Sequence, residues 1–480
     1  MLVTSSAEVG KTPGLPAAPL RRSYIKWLWL AIVPLAAILR FLFLSRKSVY
    51  LDEAISVAYA HMSWHEFLHV LRTRDFNMAF YYLLLRGFVI FGDSEFCVRL
   101  LSVIAGVATV PAMYWLGEKL YDRRTGVMAS LIFSVNACAV VYSQEARGYA
   151  LALLLIVLSS WLFVTGIEAS SWKIWLWYAL VSALAVHSHF YAALVLVAQW
   201  LSLLALPRRM IPVKQLAAVI LIAILILPAA LFVLWHAPGH IDWVQPISWL
   251  EVYHTAVFLA AEGGKLAGNL LLAFCLFALV ISAHATWHEI RTASPLDRWK
   301  TLFPWIWLLA PMVITAFGSI WTPMFFHRFL IVCLPAFVLL VTRGFMQVRA
   351  SSVWVAAFAI LSIITVFLSY SRTRENWRDA VHYVLSQTQP GDAIWFYRDY
   401  AETPFEYYEN RTTPKNYPER LSGENLPELH GEKRLWVVFY PVGSAGAAAI
   451  ESKFGDEYTA LSQSNFRGMH IVLFDTSRAR

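Results

Sequence analysis

About eleven apolar runs dominate this chain, most of them long enough to approach or complete a helical crossing of a bilayer, which needs roughly 20 residues. The first is Trp27–Leu44. The others are Phe96–Leu116, Gly126–Tyr142, Ala150–Gly166, Trp175–Val186, Tyr191–Leu206, Leu216–Trp235, Leu266–Ala285, Leu302–Ile320, Phe329–Val341 and Val353–Leu368. A chain patterned this way folds as a polytopic α-helical membrane protein. Composition agrees: only 15% of residues are charged, against roughly 25% in soluble domains. The net charge of +8 does not point to nucleic acid, because the basic residues fall in short loops between the apolar runs. That is a topology signal.

Arg21, Arg22 and Lys26 precede the first run and put the N-terminus in the cytoplasm. Alternation then brings Lys119/Arg123/Arg124, Lys173, Arg208/Arg209/Lys214, Arg291/Arg298/Lys300 and Arg343/Arg349 to the same inner side. The stretch from Met78 to Phe91 is short for a crossing. Counting it as a span would turn all those basic loops outward, so it reads as a re-entrant or surface-lying helix. Ser45–Glu95 thus becomes a long first external segment. Further outer loops carry Tyr142–Arg147, His187–His189, a long stretch from His236 to Lys265, and Pro323–Arg328.

Three regions follow: a disordered cytoplasmic N-terminus (1–22), a transmembrane domain (23–370) and a small external α/β domain (371–480). In the last, Trp377–Ser386 and Ala447–Phe454 read as helices, and Ala393–Tyr397, Leu435–Tyr440 and His470–Phe474 as strands. The first run is too long for a signal-peptide core and reads as an uncleaved anchor. Cys97, Cys138, Cys275 and Cys333 stand singly, with no metal or disulfide spacing.

The adjacent acids Asp52 and Glu53 lie just where the chain leaves the first run. Such a pair is either a solvated loop or a general base facing a membrane-bound substrate. Arg147 and Arg328 start two later spans at the same outer level. Either they snorkel to headgroups or their planar forks hold a phosphate. His189 and His327 are weaker candidates at that level.

Several short motifs follow one another in order: Leu51-Asp52-Glu53-Ala54, Tyr81-Tyr82-Leu83-Leu84, Phe91-Gly92-Asp93-Ser94-Glu95-Phe96 and Arg99-Leu100-Leu101-Ser102. After them come Tyr142-Ser143-Gln144-Glu145-Ala146-Arg147-Gly148-Tyr149, His187-Ser188-His189-Phe190-Tyr191 and Arg328-Phe329-Leu330. The series resembles the bacterial protein O-mannosyltransferase-like family of polyprenyl-phosphate-sugar glycosyltransferases. These have the GT-C fold and are related to aminoarabinose lipid A transferases. The resemblance implies transfer of a sugar from a lipid-linked phosphate donor to a protein, lipid or glycan acceptor on the outer face of the plasma membrane. It maps a catalytic acid onto Asp52, with Glu53 beside it; the charge that develops on a departing phosphate then calls for fixed cations, for which Arg147 and Arg328 are the candidates and His189 and His327 the weaker ones. Asn77-Met78-Ala79-Phe80 departs from the His-Pro-Pro-like sequence that many members have before the Tyr pair.

Two rival readings have their own signals. His65-Glu66-Phe67-Leu68-His69 matches the H-E-x-x-H pattern of zinc metalloproteases, making His65 and His69 candidate metal ligands. A divalent metal is compatible with the chain but not required by it. A lipid or sugar flippase or transporter needs ionisable groups along the middle of its spans. Here they collect at span ends and in loops. On the topology read above, single cysteines replacing Glu66 and Glu402 are expected to react with an impermeant thiol reagent from outside. Cysteines replacing Arg123 and Arg209 are not, and external labelling at Arg209 would break the alternation.

Overall fold

A computed structural model describes residues 22–236, 244–263, 266–372, 374–421, 429, 432–443 and 445–477. The chain enters through α1 (Arg22–Phe41) and then forms three short helices, α2 (Leu51–His61), α3 (Trp64–Thr73) and α4 (Ala79–Phe88). The bundle continues with α5 (Glu95–Leu120), α6 (Arg123–Val135), α7 (Ala137–Ser143), α8 (Tyr149–Ala169), α9 (Trp172–Ser188) and α10 (Ala192–Ser202). Next come α11 (Val213–Leu225), α12 (Leu227–His236), α13 (Trp249–Ala261), α14 (Leu266–Thr292), α15 (Pro295–Gly318), α16 (Leu334–Met346) and α17 (Ser351–Tyr370). Among the described residues six helical stretches, one of them α16 with the turn Phe329–Cys333 before it, can cross a membrane by length and composition, and up to eight if each bent pair forms one span. The bent pairs are α6 with α7 (59°) and α11 with α12 (49°).

Each of the eleven expected runs is helical, but α9, with 17 residues, and α10, with 11, are short for a full crossing, so eleven full crossings are not established. The Met78–Phe91 stretch folds as ten-residue α4 plus a single tight turn, Val89–Phe91. The expected loop from His236 to Lys265 is corrected in its described part: it contains the 13-residue helix α13. Ser248 starts that helix by accepting from the Glu251 amide, a capping signal that hides in a sequence read for long apolar runs.

Local chemistry sets the bends and starts. At the α6–α7 break, Asn136 accepts from the Ala139 amide and donates to the Leu259 carbonyl at 3.0 Å, tying the kink to α13. Asp122 and Ser94 cap α6 and α5 in the same way. Small residues let the spans approach closely. A Cβ on Gly344 of α16 would lie 1.9 Å from the Ala278 carbonyl oxygen of α14.

After α17 the chain forms a head domain of α18 (Trp377–Gln387), β1 (Asp392–Phe396), α19 (Glu402–Glu409), β2 (Glu419–Leu421), β3 (Arg434–Phe439), α20 (Ala445–Glu457), β4 (Thr459–Phe466) and β5 (Met469–Asp475). The sheet order is β2-β1-β3-β5-β4, with β1 parallel to β2 and β3, and β5 antiparallel to both neighbours. The central strands are buried on both faces. Ile394, Trp436 and Val438 pack on one side, and Ala393, Leu435 and Val437 on the other. Such strands read as continuous apolar runs, as the sequence does here. One of these two cores also contains Val49, Ala54 and Val57 around α2, and Val98 of α5, so head and bundle share a hydrophobic interior.

Gly344→Ala is expected to lower the thermal unfolding midpoint in detergent, by an amount equivalent to about 1–3 kcal/mol. Gly87→Ala is the control, since a Cβ there meets nothing within 4 Å. An unshifted midpoint for Gly344→Ala would show that the α14–α16 contact yields without cost.

Candidate active site

The site is built around the first turn of α2. Asp52 and Glu53 follow each other on the helix, so their side chains leave in directions about 100° apart. The two acids therefore meet different surroundings. Glu53 is fully buried (0% exposed) and makes a two-pronged pair with Arg99 of α5, Nε donating to Oε1 at 2.8 Å and Nη2 to Oε2 at 2.6 Å. Its Oε1 also accepts from the Ala146 amide at 2.8 Å. Arg99 spends its other donors on the carbonyls of Leu44, Lys47 and Ser48.

Asp52 stays accessible, with 35% of its side chain exposed, and Arg328 places Nη1 at 3.7 Å from its Oδ2. Arg147 approaches the same turn from behind: Nη1 donates to the Asp52 carbonyl and to Ser56 Oγ, both at 3.3 Å, and to Tyr82 Oη at 3.1 Å. Tyr82 in turn donates to Asp75 Oδ2 at 2.7 Å. The Nε of Arg147 is buried with no hydrogen-bond partner among the described residues. A guanidinium held on one side and unpaired on the other is prepared to receive an anion.

His189 lies on the same side, its ring among Tyr149, Tyr191 and Phe329. Burial, reinforced by the positive charge of Arg147, lowers its pKa to about 3, so it is neutral at neutral pH. Nδ1 accepts from the Tyr191 amide at 3.2 Å, and the buried Nε2 has no partner among the described residues. His327 turns instead towards α13, 3.7 Å from Glu251 and edge-on to Phe258. Burial and then Arg328 lower its pKa to about 4 against the pull of Glu251.

His65 and His69 are exposed on α3, apart from this cluster. Glu66, the acid between them, accepts from the Ser63 amide at 3.0 Å and so serves as a helix cap. Among the described residues no group of three or more His, Cys, Asp or Glu side chains is arranged to hold a metal ion.

Sequence reading passed over Arg374 and Glu375, which follow the last span. Arg374 pairs with Glu145 at 2.6 Å and lies over the rings of Tyr50 and Tyr142. Glu145 also accepts from Tyr50 Oη at 2.9 Å. Glu375 accepts from the Leu51 amide at 3.0 Å, at the start of α2, and from Trp377 Nε1 and Tyr440 Oη. Burial raises its pKa, partly offset by those bonds. Both residues thus grip the turn that carries Asp52. Their only signal in the sequence is a change in composition after Tyr370.

The fold has known counterparts. Over nearly the full length of both chains, the fold superposes on apo ArnT from Cupriavidus metallidurans, with a TM-score of 0.62 at 11% identity, covering 94% of this chain and 98% of that one. The fold is GT-C. ArnT from the same organism bound to undecaprenyl phosphate gives 0.59 at 12% identity, covering 93% and 98%. The apo oligosaccharyltransferase of Archaeoglobus fulgidus gives 0.50 at 12% identity, covering 83% of this chain and 62% of that one. Residues 77–235 match the family model described as dolichyl-phosphate-mannose-protein mannosyltransferase. No curated protein sequence matches the chain.

Within the GT-C fold the two acids of α2 are separable by experiment. Glu53→Ala leaves Arg99 charged and buried without its carboxylate, a change that typically costs about 3–5 kcal/mol. Thermal unfolding in detergent should show a large drop for Glu53→Ala and little change for Asp52→Asn. Equal, small shifts would mean that the Glu53–Arg99 pair does not hold the turn.

Proposed function

We propose that this protein is a membrane glycosyltransferase that moves a sugar from a polyprenyl-phosphate donor to an acceptor hydroxyl at the outer face of the plasma membrane. The observation that carries this reading is the half-exposed Asp52 carboxylate 3.7 Å from Arg328, with the unpaired Nε of Arg147 nearby. The GT-C fold supports it, as does the match of residues 77–235 to a family of dolichyl-phosphate-mannose users. Undecaprenyl phosphate bound to a protein of the same fold supports the donor class.

The step is a direct displacement. The acceptor oxygen attacks the anomeric carbon while Asp52 takes its proton. The bond from that carbon to the phosphate oxygen breaks, and its electron pair stays on the phosphate. The departing phosphate gains charge, which Arg328 and Arg147 stabilise through guanidinium hydrogen bonds. Neutral His189 lines the pocket beside Arg147 and offers Nε2 without competing for the anion. His327, drawn towards Glu251, stays neutral beside Arg328 and adds no charge there. Glu53 positions the turn and does not touch substrate. In this reading the N-terminus is cytoplasmic, the head domain is external, and the bilayer is the route by which the donor arrives.

Asp52→Asn keeps the shape and removes the proton acceptor, so turnover should fall about 10²-fold or more. Affinity for the lipid donor should change little. Arg328→Ala should weaken donor binding and slow transfer together. Lipid affinity and single-turnover transfer, measured separately in nanodiscs, check both. Asp52→Asn that abolishes donor binding but leaves the chemical step intact would refute the base assignment.

A further inference from the structure

Behind Tyr50, away from Asp52, lies a cavity of about 210 Å³ between the outer ends of the bundle and the head domain. Its walls carry the mutually matched pair Arg99 and Glu53, and around it Lys47, Arg372, Arg374, Arg467, Glu145 and Glu262. Arg374 is matched by Glu145. Lys47, Arg372 and Arg467 have no ion pair among the described residues, and Glu262 is the one carboxylate left to face them. Three cations against one carboxylate is an excess of two positive charges. Burial weakens the charge on both Lys47 and Glu262, lowering one pKa and raising the other. Neither change gives the arginines a partner. The Nη1 of Arg374 is itself buried without a hydrogen-bond partner among the described residues.

Arg372 and Arg467 stand exposed at the rim, where water satisfies them, whereas the buried Nη1 of Arg374 lacks an acceptor that a bound anion would supply. A phosphate monoester carries about −1.5 to −2 at neutral pH, which matches the excess charge. Guanidinium forks from Arg372, Arg374 and Arg467 suit its oxygens. Arg467 comes from the turn between β4 and β5, so a bound group would lie beneath the head domain. Tyr50 lines the cavity and stands two residues before Asp52.

We propose that this cavity binds a phosphate-like dianionic group carried by the acceptor, and so helps to select acceptors. The assignment to the acceptor rests on the donor phosphate lying at Arg328 and Arg147. The site then discriminates by charge: acceptors bearing a phosphate or a cluster of carboxylates near the reacting hydroxyl are held, and neutral ones are not.

The test uses the full chain in nanodiscs of neutral lipid, with inorganic phosphate as probe and undecaprenyl phosphate as the donor-side competitor. Arg372→Gln and Arg467→Gln, singly and together, should weaken phosphate binding, the double variant by roughly tenfold. Undecaprenyl phosphate affinity should stay within about twofold, and phosphate should still bind when that lipid is saturating. Unchanged phosphate binding in the folded double variant would overturn the site. Competitive displacement of phosphate by undecaprenyl phosphate would overturn the acceptor assignment by giving the cavity to the donor lipid. Neither outcome depends on Asp52, so an error in the base assignment would show separately in the turnover of Asp52→Asn.

Discussion

One buried ion pair organises the end of the bundle that carries Asp52. Arg99 has five N–H donors, and all five go to the segment that leads out of the first helix: two to Glu53 and the rest to the carbonyls of Leu44, Lys47 and Ser48. Glu53 in turn accepts from Ala146 in the loop before α8. A single guanidinium therefore joins α5, the exit of α1, the first turn of α2 and a loop from deeper in the bundle. In a dry interior such a pair adds little to stability compared with an apolar replacement, yet breaking half of it is costly. Its effect is geometric. With Glu53 held inward, the helix must present Asp52 outward.

The head domain is part of the same construction. Glu375 holds the Leu51 amide, Arg374 holds Glu145 beneath Tyr50, and Tyr408 of α19 accepts from the Val49 amide at 2.7 Å. Arg378 pairs with Glu95 at the start of α5. These contacts act on either side of the two acids. The apolar contacts of Trp377 and Val381 with the α2 region make the join continuous. A domain attached this way positions the first turn of α2 and cannot swing freely without loosening it.

Charge is distributed with the same economy. Most cations near Asp52 already have partners: Arg99 with Glu53, Arg374 with Glu145, and Arg378 with Glu95. The atoms left over among the described residues, Nε of Arg147 and Nη1 of Arg374, lie beside the accessible acid or the neighbouring cavity. Unpaired donors in an otherwise satisfied interior mark where a ligand supplies the missing acceptors.

The sequence by itself determined the class, a many-span helical protein with a small α/β head, because long apolar runs have few other stable forms in a bilayer. It also marked Ala393–Tyr397, Leu435–Tyr440 and His470–Phe474 as strands, and the structure finds these as the buried middle of the sheet. The edge strand β4 was not legible: Thr459–Phe466 is polar along much of its length, and only its ladder with β5 makes it a strand. Helix α13 and the bends at Asn136 and Ile226 were hidden for a related reason, since capping and kinks depend on partners distant in the chain. At the site, motif order singled out Asp52, Glu53, Arg147 and Arg328, but only tertiary structure gave the two acids opposite surroundings. That decision belongs to Arg99, 46 residues beyond Glu53. The parts played by Arg374 and Glu375 lie further still from local pattern. An ion pair is formed by two side chains meeting in space, and no spacing along one strand of sequence records that meeting.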